Sequence, residues 1–98
     1  MEREKINLFE KTDSVKNLVV KNDSFMSIYL NCKVGEGLPN HTHKKMAQLL
    51  VLEGKFKVEF EDGGKYELLP GELLSFDSRV MHNVVALEPS KALVTVGL

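Results

Sequence analysis

Apolar side chains recur at every second position through most of this chain, and turn residues interrupt them at intervals of roughly ten positions. Side chains on a strand point alternately to its two faces, so this pair of periods predicts an all-β antiparallel sandwich or barrel. Met26, Ile28, Leu30, Cys32 and Val34 alternate with Ser27, Tyr29, Asn31 and Lys33 up to Gly35-Glu36-Gly37, which reads as a strand with one wet face. Phe56, Val58 and Phe60 alternate with Lys55, Lys57, Glu59 and Glu61, and Tyr66 and Leu68 resume after Asp62-Gly63-Gly64; this predicts a hairpin. Leu49 to Leu52 and Leu73-Leu74 are apolar on both sides, so these strands are expected to be covered on both faces, the second cover coming from another subunit. Val84 to Leu87 and Ala92 to Val96, joined through Glu88-Pro89-Ser90, read as a last hairpin, and Leu18 to Val20 as an early strand. The first five residues are expected to fray. Helical patterns are nearly absent.

Against this background stand three histidines, His41, His43 and His82. Two histidines one residue apart on an extended segment aim their rings to the same side. A third arriving from a distant strand completes a facial set with coordination positions left open, and neutral imidazole is the commonest protein ligand for zinc, iron, copper and nickel. An isolated His-x-His is also compatible with loop or surface histidines, so the surrounding residues have to decide.

Composition narrows the classes. Ninety-eight residues predict one domain, residues 1–98, around one core. Hydrophobic residues at 43% and charged residues at 28% fall in the globular range and argue against disorder. A net charge of -1 supplies no basic field, so no nucleic-acid partner is expected. No apolar run approaches the ~20 residues of a membrane span, and Met1-Glu2-Arg3-Glu4-Lys5 lacks the apolar region of a signal peptide; a cytoplasmic protein without membrane contact is expected. Cys32 is the single cysteine and is expected as a buried, inert thiol.

Gly35 is followed after five residues by His41, then by His43, and Gly54 closes that segment; further on come Gly71, Asp77, Arg79, His82 and Ala86. The two groups resemble the first and second cupin motifs, and Leu69-Pro70-Gly71-Glu72-Leu73-Leu74 resembles the turn and strand that introduce the second. The motif region is 35–86. The resemblance implies a double-stranded β-helix, a small jelly-roll barrel holding a metal in its mouth, with homodimers common. By the same resemblance His41, His43 and His82 match three histidine ligands for a divalent transition metal: iron, manganese, nickel, copper or zinc. The acidic or glutamine ligand of the motif falls on Ala47, which cannot coordinate. Gln48 stands one residue late, as a possible fourth ligand only if a bulge turns it inward.

Ala47 leaves open a second reading, in which the histidines line a pocket for an organic ligand with no metal. Met26, Met46 and Met81 are candidates to line that pocket beside Ala47, against the simpler reading of methionines as core fillers. Arg79 is a candidate for its rim. Two functional classes follow: a protein that binds a metal, a small-molecule ligand or both, which the missing fourth ligand favours, and a metal-dependent oxygenase or isomerase. No catalytic acid or base is nominated, and the substrate is not written in the sequence.

Overall fold

The period-two pattern becomes nine strands in the computed structural model, which describes residues 3–98. They are β1 (Lys16–Lys21), β2 (Phe25–Cys32), β3 (Gly37–His41), β4 (Met46–Glu53), β5 (Phe56–Phe60), β6 (Lys65–Leu68), β7 (Leu73–Asp77), β8 (His82–Ala86) and β9 (Ser90–Gly97), preceded by one 3-10 turn at Leu8–Glu10. Five strands form one sheet in the order β1-β2-β9-β4-β7, and four form the other in the order β3-β8-β5-β6. Every pairing is antiparallel. From β3 to β9 the chain passes repeatedly between the sheets, and this gives the double-stranded β-helix. Among the described residues no helix is long and apolar enough to cross a membrane.

The inward positions of both sheets make one core: Ile28, Leu30 and Cys32 from β2, Ala47, Leu49 and Val51 from β4, Phe56 and Val58 from β5, with Val84, Ala86, Ala92, Val94 and Val96 closing it. Strict alternation in β8 and β9 follows from this, since only every second residue can reach the interior. Burial pushes the Cys32 thiol up to about 11, which agrees with an inert group. The outer face of β5–β6 is wet as expected, carrying the ion pairs Lys57–Glu59 (3.1 Å) and Lys55–Glu67 (3.3 Å).

One expectation is corrected, one strand is added, and the apolar outer row is left partly open. The last two strands are not a hairpin: β8 pairs with β3 and β5, whereas β9 pairs with β2 and β4 in the opposite sheet. Two adjacent apolar runs share no ladder here because each is needed to fill a facing layer of the core. A strand at Gly37–His41, which carries little apolar pattern, forms through its ladder to β8. The apolar outer row is only partly covered within the chain: Tyr29, Leu93, Leu50 and Leu73 are successive cross-strand neighbours, and they run from fully buried Tyr29 to Leu73 at 53% exposure. Of the five residues expected to fray, Met1 and Glu2 lie outside the described residues, and Arg3–Lys5 are exposed with no regular structure.

Gly37 sets how closely β3 can approach β8. A Cβ there would collide with the Val84 carbonyl oxygen and stand 2.8 Å from the Val84 carbonyl carbon and 3.2 Å from the Val85 Cα, all backbone atoms that cannot swing aside. Gly63 has φ +97 and nothing within 4 Å of a built Cβ. Urea unfolding should therefore separate them. Gly37→Ala should lose about 3 kcal/mol, by overpacking against an immovable ladder, and Gly63→Ala about 1 kcal/mol, from backbone strain alone. Equal losses would mean that β3 is free to move out.

Candidate functional site

His82 opens β8 on the inward face, only 2% exposed, with Val84 and Ala86 following it into the core. Its cross-strand partner in β3 is His41 and its partner in β5 is Phe60, so His41, His82 and Phe60 form one row across the four-stranded sheet. An irregularity in the ladder between Leu38 and His41 lets both of those residues face inward although they are three apart. The His41 and His82 rings stand 4.2 Å apart, centre to centre, tilted by 59°.

Only His41 of the His-x-His pair is on a strand. His43 lies in the connection to β4, and it is held there by a clasp between two loops: the His43 N–H donates to the Ser78 carbonyl (2.9 Å), and the Ser78 N–H donates back to the Lys45 carbonyl (3.1 Å). The fully buried Ser78 hydroxyl also donates to Lys45 O. Through this clasp the His43 ring reaches 5.2 Å from that of His41, edge-on at 79°.

The tautomers of two rings are set by the backbone. His41 Nδ1 is 2.7 Å from Pro39 O and His82 Nδ1 is 2.8 Å from Val80 O. A carbonyl only accepts, so each Nδ1 carries the proton and each Nε2 keeps its lone pair. Burial lowers the pKa of both His43 and His82; neighbouring histidine rings add to this, Lys16 does so for His43, and the Val80 bond opposes it at His82. The lowering favours the neutral base at His43 and His82, the form a metal requires.

Imidazoles around one ion, at metal–nitrogen distances near 2.1 Å, hold their ring centres roughly 4.5 to 5.5 Å apart; the 5.2 Å between His41 and His43 falls in that range and the 4.2 Å between His41 and His82 is shorter, so the cluster fits a transition metal in donor type. It is not drawn onto a single point. Among the described residues no set of three or more His, Cys, Asp or Glu side chains is closed into a metal-holding group.

The facing row on the other sheet is Met26, Val96, Ala47 and Phe76, in cross-strand order. Ala47 is 5% exposed on that inward row and Met26 is half-buried against the core, so both point inward from the sheet opposite the histidines. Two others do not. Met46 at 55% and Met81 at 39% exposure face away, Met46 because it precedes inward Ala47 by one residue. Gln48 is likewise exposed on the outer face. No bulge turns it inward, for the Met46–Leu50 ladder to β7 runs without a register shift. The Arg79 guanidinium is engaged by Asp77, at 2.6 Å from Nη2 to Oδ2 and 3.0 Å from Nε to Oδ1.

Phe60 and Phe76 were not foreseen. Phe76 packs edge-on against the His82 ring with centres 4.8 Å apart, and Phe60 lies at 5.7 Å. Neither has a local signal: Phe60 meets His82 through the ladder of β5 to β8, which joins distant segments, and Phe76 reaches it from the other sheet.

The sequence profile of the cupin domain family matches residues 29–96. No curated protein matches the chain. Among solved structures, a RmlC-like cupin from Desulfovibrio desulfuricans superposes with a TM-score of 0.86 at 25% identity, over 98% of this chain and 97% of that one. KdgF from Halomonas sp. gives 0.71 at 30% identity, over 84% of this chain and 76% of that one. A RmlC-like cupin with a double-stranded β-helix fold from Methanocaldococcus jannaschii gives 0.78 at 15% identity, over 89% and 84%, a likeness of fold alone. With a profile match over most of its length and a barrel that superposes on these proteins, the chain belongs to the cupin domain family.

Proposed function

We propose that His41, His43 and His82 bind a divalent transition metal, weakly and exchangeably, and that the protein acts by binding a small-molecule ligand at that ion. The observation that carries this reading is the matched pair of backbone bonds at Pro39 O and Val80 O, which leave His41 and His82 with Nε2 as the available donor. The ion would supply open coordination positions for a ligand. Iron, manganese, nickel, copper and zinc all suit such donors. Binding is preferred over oxygenase or isomerase chemistry because the groups packed on His82 are Phe60 and Phe76, which can hold a ligand but cannot move a proton.

Weak binding follows from Ala47, which faces the histidine row with a methyl group where a carboxylate would balance the ion's charge. Calorimetric titration with nickel or zinc should give at least about tenfold tighter binding for Ala47→Glu, and no change for Gln48→Glu on the outer face. A thermal shift should show metal-free Ala47→Glu destabilised by its buried charge and recovering with metal by more than the unsubstituted protein does. Gain at Gln48→Glu instead would reverse the register of β4.

Proton competition gives a second test. The folded-state pKa values of His43 and His82 lie below the unfolded value. Their stability contribution is therefore complete above pH ~6.5 and is lost as the pH falls through the lower folded values. Metal-free protein should unfold more readily on acidification below pH ~6.5, and the His82→Gln variant should show a shallower dependence.

We also propose a homodimer paired through the outer row of Leu93, Leu50 and Leu73, since a half-exposed apolar row on a five-stranded sheet gains most by two-fold pairing. Sedimentation at micromolar concentration should report twice the chain mass of 11.0 kDa. Leu73→Lys should shift it to a monomer.

A further inference from the structure

Between the edge strand β6 of one sheet and the edge strand β7 of the other, the barrel wall has a notch. It is a cavity of about 210 Å³ lined by Phe60, Asp62, Gly64, Tyr66, Phe76 and Asp77, with Val80 at its margin. At roughly 30 Å³ per water, it holds a molecule of about seven heavy atoms. Three of its walls are aromatic and stand nearly at right angles: Phe60 meets Tyr66 at 89° with centres 5.8 Å apart, and Phe76 at 71° with centres 5.4 Å apart. Aromatic rings carry negative potential on their faces.

Its charge is of the same sign. Asp77 is neutralised by the Arg79 fork, but Asp62 forms no ion pair among the described residues, and its one recorded bond is Oδ1 accepting the Gly64 N–H at 2.9 Å. One uncompensated carboxylate beside three rings suits a cation. A metal ion or a bare ammonium group would lose its water against such walls, with too few oxygens to replace it. An alkylated ammonium, weakly hydrated and apolar in outline, loses little and gains both the rings and the carboxylate.

We propose that this notch binds a small alkylated-ammonium ligand, with Phe60, Tyr66 and Phe76 as the cage and Asp62 as the counter-charge. This site is separate from the metal reading, though Phe60 and Phe76 form a wall common to both.

The test uses metal-free protein, held so with a chelator, so that failure of the metal reading leaves it intact. Choline is titrated against 3,3-dimethyl-1-butanol, which has the same shape without the charge, and backbone amide shifts are followed by NMR. Choline should bind in the millimolar range, with shifts concentrated at Phe60 to Tyr66 and at Phe76, and about tenfold more tightly than the neutral isostere. Tyr66→Leu keeps an apolar body but removes the ring, and Asp62→Asn keeps the acceptor for Gly64 but removes the charge. Each should weaken choline several-fold with the amide spectrum otherwise unchanged, since both residues are exposed. Equal affinity for the two probes, shifts centred elsewhere, or no saturable shift with choline would overturn the proposal.

Discussion

The register of β3 against β8 is the constraint on which the site depends. Side chains on a strand alternate with a period of two, so a slip of one residue would carry His82 out of the barrel and bring Asn83 in. The ladder is pinned from both ends. Near its start the Gly35 N–H donates to Ala86 O and the Ala86 N–H donates to Glu36 O, each at 2.8 Å, and Gly37 permits an approach that no Cβ would allow. On the other side β5 continues the row with Phe60 opposite His82. His41 and His82 are thus brought together by backbone hydrogen bonds, and their rings need no charge or metal to meet.

The remaining histidine is positioned by different means. His43 sits beyond the end of β3, where no ladder holds it, and the exchange of bonds between Ser78, His43 and Lys45 substitutes for one. Ser78 is fully buried between half-buried Asp77 and exposed Arg79, just beyond the end of β7. Its hydroxyl and its N–H both donate to the Lys45 carbonyl, so the buried hydroxyl is satisfied by the same group that anchors the loop. The loop before β4 and the loop before β8 are consequently one unit, and a change in either moves His43 relative to His82.

How much of this could be read from the chain follows from which interactions are local. The hairpin of β5 and β6 was legible because its turn and its alternation lie within one short stretch, and so was the inward set Ile28, Leu30 and Cys32. The partners of β8 and β9 were not, since an apolar run shows that a strand is buried without showing against which sheet. β3 was missed for the same reason: Gly37, Pro39 and Asn40 carry no apolar period, and the strand exists because β8 is there to pair with it. The histidines were legible as a group from spacing and family resemblance, and Ala47 was correctly counted onto the inward face. Met46 and Met81 are instead exposed: the softness of a thioether suits a pocket but does not place it there, and alternation from inward Ala47 puts Met46 on the outer side.

The wall of Phe60 and Phe76 has consequences on both of its sides. Towards the histidines it keeps the dielectric low, which favours the neutral form of His82 and raises the cost of an uncompensated ion. The facing row of Met26, Val96, Ala47 and Phe76 contributes no negative charge. A divalent ion bound as proposed would then need its charge balanced by what it binds, so a ligand presenting an anionic oxygen is favoured over a neutral one. Towards the notch the same rings present their negative potential to a space that already holds the Asp62 carboxylate, and the preference is reversed. The two proposed sites can share one aromatic wall because a phenyl ring has no net charge, while its quadrupole is negative on the faces and positive at the edge.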